Sequence, residues 1–435
     1  MTSHIGKKPT QAKQLLPVEC YTSEAWFERE QKELFNKVWT FACTFEDVSQ
    51  PGDYYATQVG EFPIVVIHGR DGTLRAFHNI CRHRGSILLE GQGNIERSII
   101  CSYHRWAYST DGKLRGVPQQ RDVFKELDKC ELSLKGASLE NYRNLIFVHA
   151  EEKPAENFAT YLGDVMNRSW PAKTENLQVI SRMSWEINCN WKVFIENAED
   201  GYHLMHLHKN TLGGPGIHGQ EWTPLGRHWL WEGKEPIVSG LATQGDEGEY
   251  DEQQWQQWIQ QFNPIEGVDP MTFGGQVYIF FPAFGLQPLL DNVGFFKLTP
   301  LSASKTLFES FITMKPCDSE EEKQSRLEQL HAFAPMPGIE VDKDGLANQG
   351  KPIKLSDVDG HPLDSGNFHI EDVWQVELIQ KAMRSPAFEV GPLSNGEGET
   401  ALTYFQQNIL DYVPLNKAST ETLQSVSKRI EVELV

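Results

Sequence analysis

Cysteine is scarce in this chain, seven residues in 435, and odd in number. The opening MTSHIGKKPTQAK has no apolar core of a secretory leader, so the cysteines do not read as a disulfide framework. Free or metal-bound thiols and a cytoplasmic location are expected instead. Long hydrophobic runs are missing too: the stretch from Val277 to Leu290 is broken by Pro282, Gly285 and Pro288, and nothing reads as a membrane span. Basic residues are outnumbered, 40 Lys and Arg against 60 Asp and Glu, for a net charge of -20 and a pI near 5.2. That balance excludes general binding to nucleic acid or anionic membranes, whose phosphates need clustered cations. It permits docking to the basic patch of a partner. Repeats and low-complexity segments are also absent. A chain with 39% hydrophobic and 11% aromatic residues folds as a globular protein, in two or three domains at roughly 150 residues each.

What is present changes texture along the chain. EAWFEREQKELFNKVW, Glu24 to Trp39, spaces its apolar residues as an amphipathic helix does. From 40 to 155 short β-rich runs follow, FPIVVIHG, LRAFHNIC, RSIICSYH and NLIFVHA, with Asp-Gly turns in GRDGT and STDGK. A small all-β domain is predicted there, with residues 1–39 as a helical segment packing on a larger domain, 156–435. In that domain a helix is predicted around 191–207, low regularity to about 270, antiparallel strands through GGQVYIFFPAFGL and VGFFKLTPLSASKTLFESFITM, and a helix at 369–383. The fold class is therefore α+β, with an antiparallel sheet flanked by helices in the larger domain.

Two clusters of ligand-type residues stand out. In CRHRGSILLEGQGNIERSIICSYHRWAY, Cys81 and His83 form C-x-H and Cys101 and His104 form C-x2-H. Two Cys and two His can hold zinc or a Rieske 2Fe-2S cluster. The single residue inside the first pair suits the cluster better, because each loop can place its Cys on one iron and its His on the other. Imidazoles on one iron also raise the reduction potential above that of an all-Cys cluster.

The second cluster lies in NWKVFIENAEDGYHLMHLH. On one helix, Asp200 and His203 would share a face with Glu196, Asn197 and Leu204, and a buried polar face needs partners or a metal. His203 and His208 are five apart, so meeting on one ion requires the helix to end or distort between them, and His206 is a rival. A two-His site for non-haem iron needs a carboxylate. In FHIEDVWQVELIQKAM, Asp372 shares a stripe with Val376, Ile379 and Met383, and Glu371 on the neighbouring face is the alternative.

These motifs resemble the large subunit of Rieske non-haem iron ring-hydroxylating oxygenases. The family's C-x-H-R-G and C-x-Y-H-x-W are matched by Cys81 to Gly85 and Cys101 to Trp106, with Ser102 where Pro is common and Arg105 where Gly is common. The resemblance implies iron at His203, His208 and Asp372, with Asp372 five residues before Glu377 as in the family's third ligand. It makes Asp200 the carboxylate that bridges the Rieske histidine of one subunit to an iron-binding histidine of the next, hence a homotrimer, with or without a small β subunit. It implies electrons from NAD(P)H through a reductase or ferredoxin, and O2 used to hydroxylate, or dihydroxylate, an aromatic substrate at mononuclear Fe(II). The alternatives are a monooxygenase or demethylase on a non-aromatic or quaternary ammonium substrate, and a Rieske electron carrier without oxygenase activity. An Asp at position 200 rather than Glu points away from the carnitine and choline branch. Trp229, Trp231, Phe273, Tyr278, Phe280, Phe281 and Phe295 are candidates for an aromatic pocket or for core, and Arg182, Arg227 and Lys297 for a substrate carboxylate.

Overall fold

The computed structural model describes residues 4–168, 173–213, 220–233, 263–269, 275–396 and 398–415. It divides into two compact units, Glu30–Tyr161 and the combination of Met1–Arg29 with Leu162–Val435. The first division falls inside helix α1 (Glu24–Glu33) rather than after residue 39, and the second after Tyr161 rather than after residue 155. The helix predicted to Trp39 stops at Glu33 and gives way to a 3-10 turn, Phe35–Lys37. Among the described residues no helix is long and apolar enough to cross a membrane.

The unit Glu30–Tyr161 is built of β-strands, with the end of α1 and short helical turns at Gln120–Val123 and Phe158–Leu162 as its helical parts. Its strands are β1 (Thr40–Thr44), β2 (Asp53–Val59), β3 (Phe62–His68), β4 (Leu74–His78), β5 (Gln92–Asn94), β6 (Ile99–Ile100), β7 (Ala107–Tyr108), β8 (Leu114–Gly116), β9 (Gly136–Tyr142) and β10 (Leu145–His149). One seven-stranded sheet runs β1-β10-β9-β4-β3-β2-β5, and β6-β7-β8 form a small second sheet. The run FPIVVIH makes β3 a central strand because its side chains alternate between two cores. Val65 and Ile67 join one, with Cys81, Cys101, Trp106 and Tyr108, and Ile64 and Val66 join the other, with Ala42, Val48 and Val148. The first of these cores supports the loops that carry Cys81 and Cys101. Between β7 and β8, Gly112 turns the chain at φ +81°, and a Cβ there would lie 2.5 Å from the Phe77 ring.

In the larger unit β11 (Gln178–Ile187), β12 (Gln220–Leu225), β13 (His228–Gly233), β14 (Gln276–Phe280), β15 (Phe284–Pro288), β16 (Asn292–Ser302) and β17 (Lys305–Met314) form one antiparallel sheet, ordered β11-β17-β16-β15-β14-β13-β12. Strands β12 and β13 lie in the region where low regularity was predicted. Helices α2 (Trp191–Glu199), α3 (Leu204–Leu207), α4 (Glu320–Phe333), α5 (Phe368–Ala382) and α6 (Thr400–Tyr412) complete it. The fold class is α+β.

Helix α2 is fixed at its start by Asn190. This side chain accepts from the Lys192 N–H at 3.1 Å and donates to the Ala303 carbonyl at 2.8 Å, while the Asn190 N–H donates to Gln380 of α5. Its apolar face meets the sheet, with the Phe194 and Phe308 rings 4.9 Å apart. The N-terminal segment joins the same unit: the Tyr21 hydroxyl donates to Glu196 at 2.5 Å, and the Leu15 N–H donates to Gln406 at 2.6 Å.

The helix predicted over 191–207 is in fact broken. Asp200 caps α2 in an extended conformation (φ -83°, ψ 97°), and its carboxylate accepts from the Tyr202 N–H at 2.7 Å, a local turn that competes with helix continuation. His203 and His208 then flank the single turn of α3. Asp200 and His203 therefore do not share a helical face.

Candidate metal centres

The two Cys loops of the β unit are built alike. The Cys81 N–H donates to Ser86 O at 2.8 Å and the Gly85 N–H returns to Cys81 O at 3.1 Å; the Cys101 N–H donates to Trp106 O at 2.9 Å and the Arg105 N–H returns to Cys101 O at 3.0 Å. The fourth residue after each Cys has a left-handed backbone, Gly85 at φ +79° and Arg105 at φ +60°. The glycine common at position 105 in the family is thus explained by backbone geometry, and this chain places an arginine there at a steric cost.

Both thiols are buried. The Tyr108 hydroxyl lies 3.3 Å from the Cys81 sulfur and accepts from the Arg82 N–H at 3.0 Å. Burial raises the Cys81 pKa. At Cys101 burial acts the same way, but the N–H groups of Tyr103 and His104 aimed at the sulfur, together with the Cys81 and Ser86 side chains, outweigh it and hold the pKa low. The rings of His83 and His104 stand 4.4 Å apart, and His83 stacks on Trp106 at 4.8 Å. His83 Nδ1 is buried without a hydrogen-bond partner among the described residues. An orphaned imidazole nitrogen beside two buried thiols fits a 2Fe-2S cluster. The four residues do not fit one tetrahedral ion, because they are not among the groups whose ligand atoms all lie within 4.8 Å of one another.

Among the described residues, the one group that meets that distance is His203, His208 and Asp372. Nε2 of His203 and Nε2 of His208 are 3.2 Å apart, and Oδ1 of Asp372 lies 3.0 Å from the second and 3.6 Å from the first. Ligand bonds of about 2.1 Å at right angles separate donor atoms by roughly 3 Å, so the three atoms can occupy one face of an octahedral iron. His208 is buried, and its Nδ1 donates to Glu371 Oε2 at 2.7 Å. That bond leaves the lone pair on Nε2, the nitrogen that faces Asp372. Glu371 also accepts from the Thr211 hydroxyl at 2.8 Å. Glu371, the sequence alternative to Asp372, therefore orients His208 and does not converge with the three donor atoms. The other alternative, His206, is exposed, with its ring against Tyr202.

Asp200 lies on the opposite side of His203, its Oδ2 3.4 Å from Nδ1. Burial disfavours protonation of His203, but the Asp200 and Asp372 carboxylates outweigh it and lift the pKa to about 9. Asp372 is itself held below the usual carboxylate range: burial opposes this, and the two histidines prevail. Asn197 donates to Asp372 Oδ1 at 2.9 Å. Glu196 points elsewhere, to Tyr21 and Gln406, and Glu377 accepts from Asn188.

Sequence reasoning missed the roles of Glu371, Thr211, Asn197 and Tyr108. The one advance signal was that Glu371 and Asp372 are adjacent acids on a helix rich in apolar residues.

The family profile described as "Ring hydroxylating alpha subunit (catalytic domain)" matches residues 174–415, more than half of the chain, and the one described as "Rieske [2Fe-2S] domain" matches residues 38–133. The chain belongs to the ring-hydroxylating oxygenase alpha-subunit family. A Rieske 2Fe-2S cluster and a mononuclear iron are the cofactors that these two domains imply. Similar proteins include the alpha subunit of benzene 1,2-dioxygenase from Pseudomonas putida, 37% identical over 190 residues, and the oxygenase subunit of glycine betaine monooxygenase from Chromohalobacter salexigens, 32% identical over 200 residues. The first match spans 42% of this chain and 42% of the relative, the second 45% and 44%, so the chain matches under half the length of these relatives. The fold is shared with an apo quaternary ammonium Rieske monooxygenase, TM-score 0.69 and 21% identity over 95% of this chain and 98% of that one. It is also shared with naphthalene 1,2-dioxygenase bearing indole in its active site, TM-score 0.67 and 21% identity over 98% and 97%.

Of the candidate pocket aromatics, Trp229, Trp231, Tyr278, Phe280, Phe281 and Phe295 are buried, and Phe273 lies outside the described residues. Arg227 donates to the Tyr412 hydroxyl, Arg182 sits 5.0 Å from the Phe311 ring, and Lys297 lies 3.9 Å from Glu309. None of the three cations is assigned to substrate by these contacts.

Proposed function

We propose that this chain is the terminal oxygenase component of a Rieske system, hydroxylating an aromatic small molecule with O2 and electrons delivered from NAD(P)H by a reductase, a ferredoxin or both. The observation that carries this reading is the convergence of His203, His208 and Asp372 with Glu371 on the far nitrogen of His208. An electron carrier has no use for such a site.

In this reading Cys81, His83, Cys101 and His104 hold the cluster, and His203, His208 and Asp372 hold the iron. When bound, the cluster supplies single electrons and the iron supplies oxygen activation. The chain's own contribution is positional. Asn197 holds the Asp372 oxygen, Thr211 and Glu371 hold His208, and Tyr108 with the Tyr103 and His104 amides holds the sulfurs. Asp200, with one oxygen near His203 Nδ1, is the carboxylate that links this site to the Rieske histidine of a neighbouring copy in a trimer.

The similarity to a glycine betaine monooxygenase subunit supports a second reading, monooxygenation of a quaternary ammonium substrate. The deciding experiment reconstitutes the chain with an NADH-driven electron chain and screens benzenoid and betaine-type substrates for product carrying labelled oxygen. Iron should measure about three atoms per chain. About two atoms and no labelled product from any substrate would favour the electron-carrier alternative. Betaine-derived product alone would establish the second reading.

A further inference from the structure

Helix α5 carries its one histidine a single turn before Asp372, so His369 and that carboxylate lie on the same side of the helix. The His369 ring stands 6.0 Å from Phe308 of β17 and 4.2 Å from Phe368, and the Phe368 ring stands 6.1 Å from that of His208. Phe308 in turn meets Phe194 of α2 at 4.9 Å and stacks on Phe296 of β16 at 5.9 Å. Aromatic rings thus run without a break from the sheet to the metal donors, and His369 is the polar ring among them. Phe194 and Phe308 are buried, whereas Phe296, Phe368 and His369 keep accessible surface. The His369 backbone N–H donates to Asn367 at 2.9 Å, but among the described residues its ring nitrogens meet no hydrogen-bonding group. Burial lowers the His369 pKa more than the nearby Asp372 carboxylate raises it, and His208 adds to the lowering. The ring is therefore neutral near pH 7, with one N–H to give and one nitrogen to accept. Polar atoms among apolar rings are costly unless a partner meets them.

We infer that His369 is a specificity-determining residue of the oxygenase site, hydrogen-bonding a hydroxyl or amino group on the aromatic substrate while Phe296 and Phe368 meet the substrate's ring. The inference rests on the aromatic oxygenase reading and narrows it: the substrates are aromatics with a polar substituent rather than plain hydrocarbons. A hydrocarbon in contact with His369 shields both nitrogens from water and gives neither a partner. That loss is what makes a site built for a hydrogen bond reject an analogue lacking it. A histidine that only packs would not distinguish the two classes. Binding alone is involved, with no bond made or broken by His369.

The test uses the full chain loaded with both metals, and two pairs of probes that exchange methyl for hydroxyl: toluene with phenol, and 2-methylnaphthalene with 2-naphthol. Binding is measured by titration calorimetry without O2 or an electron donor, and turnover separately as product carrying labelled oxygen. The wild type should favour the hydroxylated member of a pair by about ten-fold or more in Kd and in KM. His369→Phe should erase that preference, through KM rather than kcat, while the hydrocarbon binds as well as before or more tightly. His369→Gln, which retains a donor and an acceptor, should restore part of it. The Rieske spectrum and the iron content, unchanged in both variants, are the controls on folding. Equal losses for both members of a pair in His369→Phe overturn the inference and leave His369 a packing residue. A wild type that binds the members of each pair equally, or prefers the hydrocarbon, overturns it as well, and this outcome needs no variant to fold. Both leave the oxygenase reading standing. Wild-type chain that yields no labelled product from any aromatic sinks that reading and the inference with it.

Discussion

Arg105 occupies a left-handed backbone position in which a side chain costs about 1–2 kcal/mol, at the same place in its loop as Gly85. Replacing it by glycine relieves that cost but adds flexibility to the unfolded chain, for a net gain of about 0.5–1 kcal/mol. Arg105→Gly should therefore raise the denaturation midpoint of the β unit without changing the cluster's visible spectrum. A lower midpoint would mean that the arginine makes a compensating contact. The second argument at this scale separates neighbours. Asp372 presents its oxygen to both histidines, and Glu371 reaches only the far side of His208. Asp372→Ala should abolish iron binding at the mononuclear site, whereas Glu371→Ala should weaken it about 10–100-fold by freeing the His208 ring. Both variants should retain the Rieske spectrum. Measured Fe(II) affinities in the reverse order would exchange the two roles.

Helix α2 carries function on one face and burial on the other. On its buried side Glu196 accepts from Tyr21 and Gln406 through one oxygen, and Glu199 has both oxygens buried without a hydrogen-bond partner among the described residues. Burial pushes the Glu196 pKa up to about 7, and burial with the neighbouring Glu196 charge raises that of Glu199 well above the usual carboxylate range. A carboxyl whose folded pKa lies above its unfolded value binds more protons when folded, so its effect on stability is least unfavourable at low pH. Stability attributable to Glu196 is then lost as pH rises from about 4.5 to 7, on the order of 3 kcal/mol in total. Glu196→Gln keeps an acceptor oxygen for Tyr21 and Gln406, so denaturant midpoints of the holoprotein should fall less steeply across that window than in the wild type. An unchanged slope would show that Glu196 stays ionised in the folded state. This face of the helix was not legible in the sequence, because its partners at Tyr21 and Gln406 lie far away along the chain. The Cys and His loops were legible because both halves of each ligand pair sit within four residues. The break at Asp200 was half visible: His203 and His208 demanded that a helix end, and the Asp200 side chain bonded to the Tyr202 N–H places that end before both histidines. Glu371 and Asp372 could be ranked by helical stripe, but only the distances to His208 assign each a task.

At the scale of the whole molecule, the question is whether one chain is the working unit. Asp200 has one oxygen near His203 Nδ1 and the other on the Tyr202 N–H, and its side chain is 21% exposed, so it can still meet a group from outside the chain. If it links the iron site to the Rieske histidine of a neighbouring copy, electrons cross between copies and the two metal sites of one chain need not cooperate. Asp200→Asn should then keep both metals and lose turnover, with the cluster still reducible. The crossing itself is tested by pairing two inactive chains. Asp372→Ala retains a cluster and lacks the iron site, whereas Cys101→Ser retains the iron site and lacks the cluster. Co-assembled at equal amounts in a head-to-tail ring, each directed contact has the productive order in about a quarter of cases, so about a quarter of wild-type turnover should return. Electron transfer confined to one chain predicts none, because neither variant holds both centres. Mixing the two after separate assembly, without subunit exchange, should also restore nothing. Activity in that control would mean that the cluster of one ring can reduce the iron of another, and the contact at Asp200 would lose its assigned role.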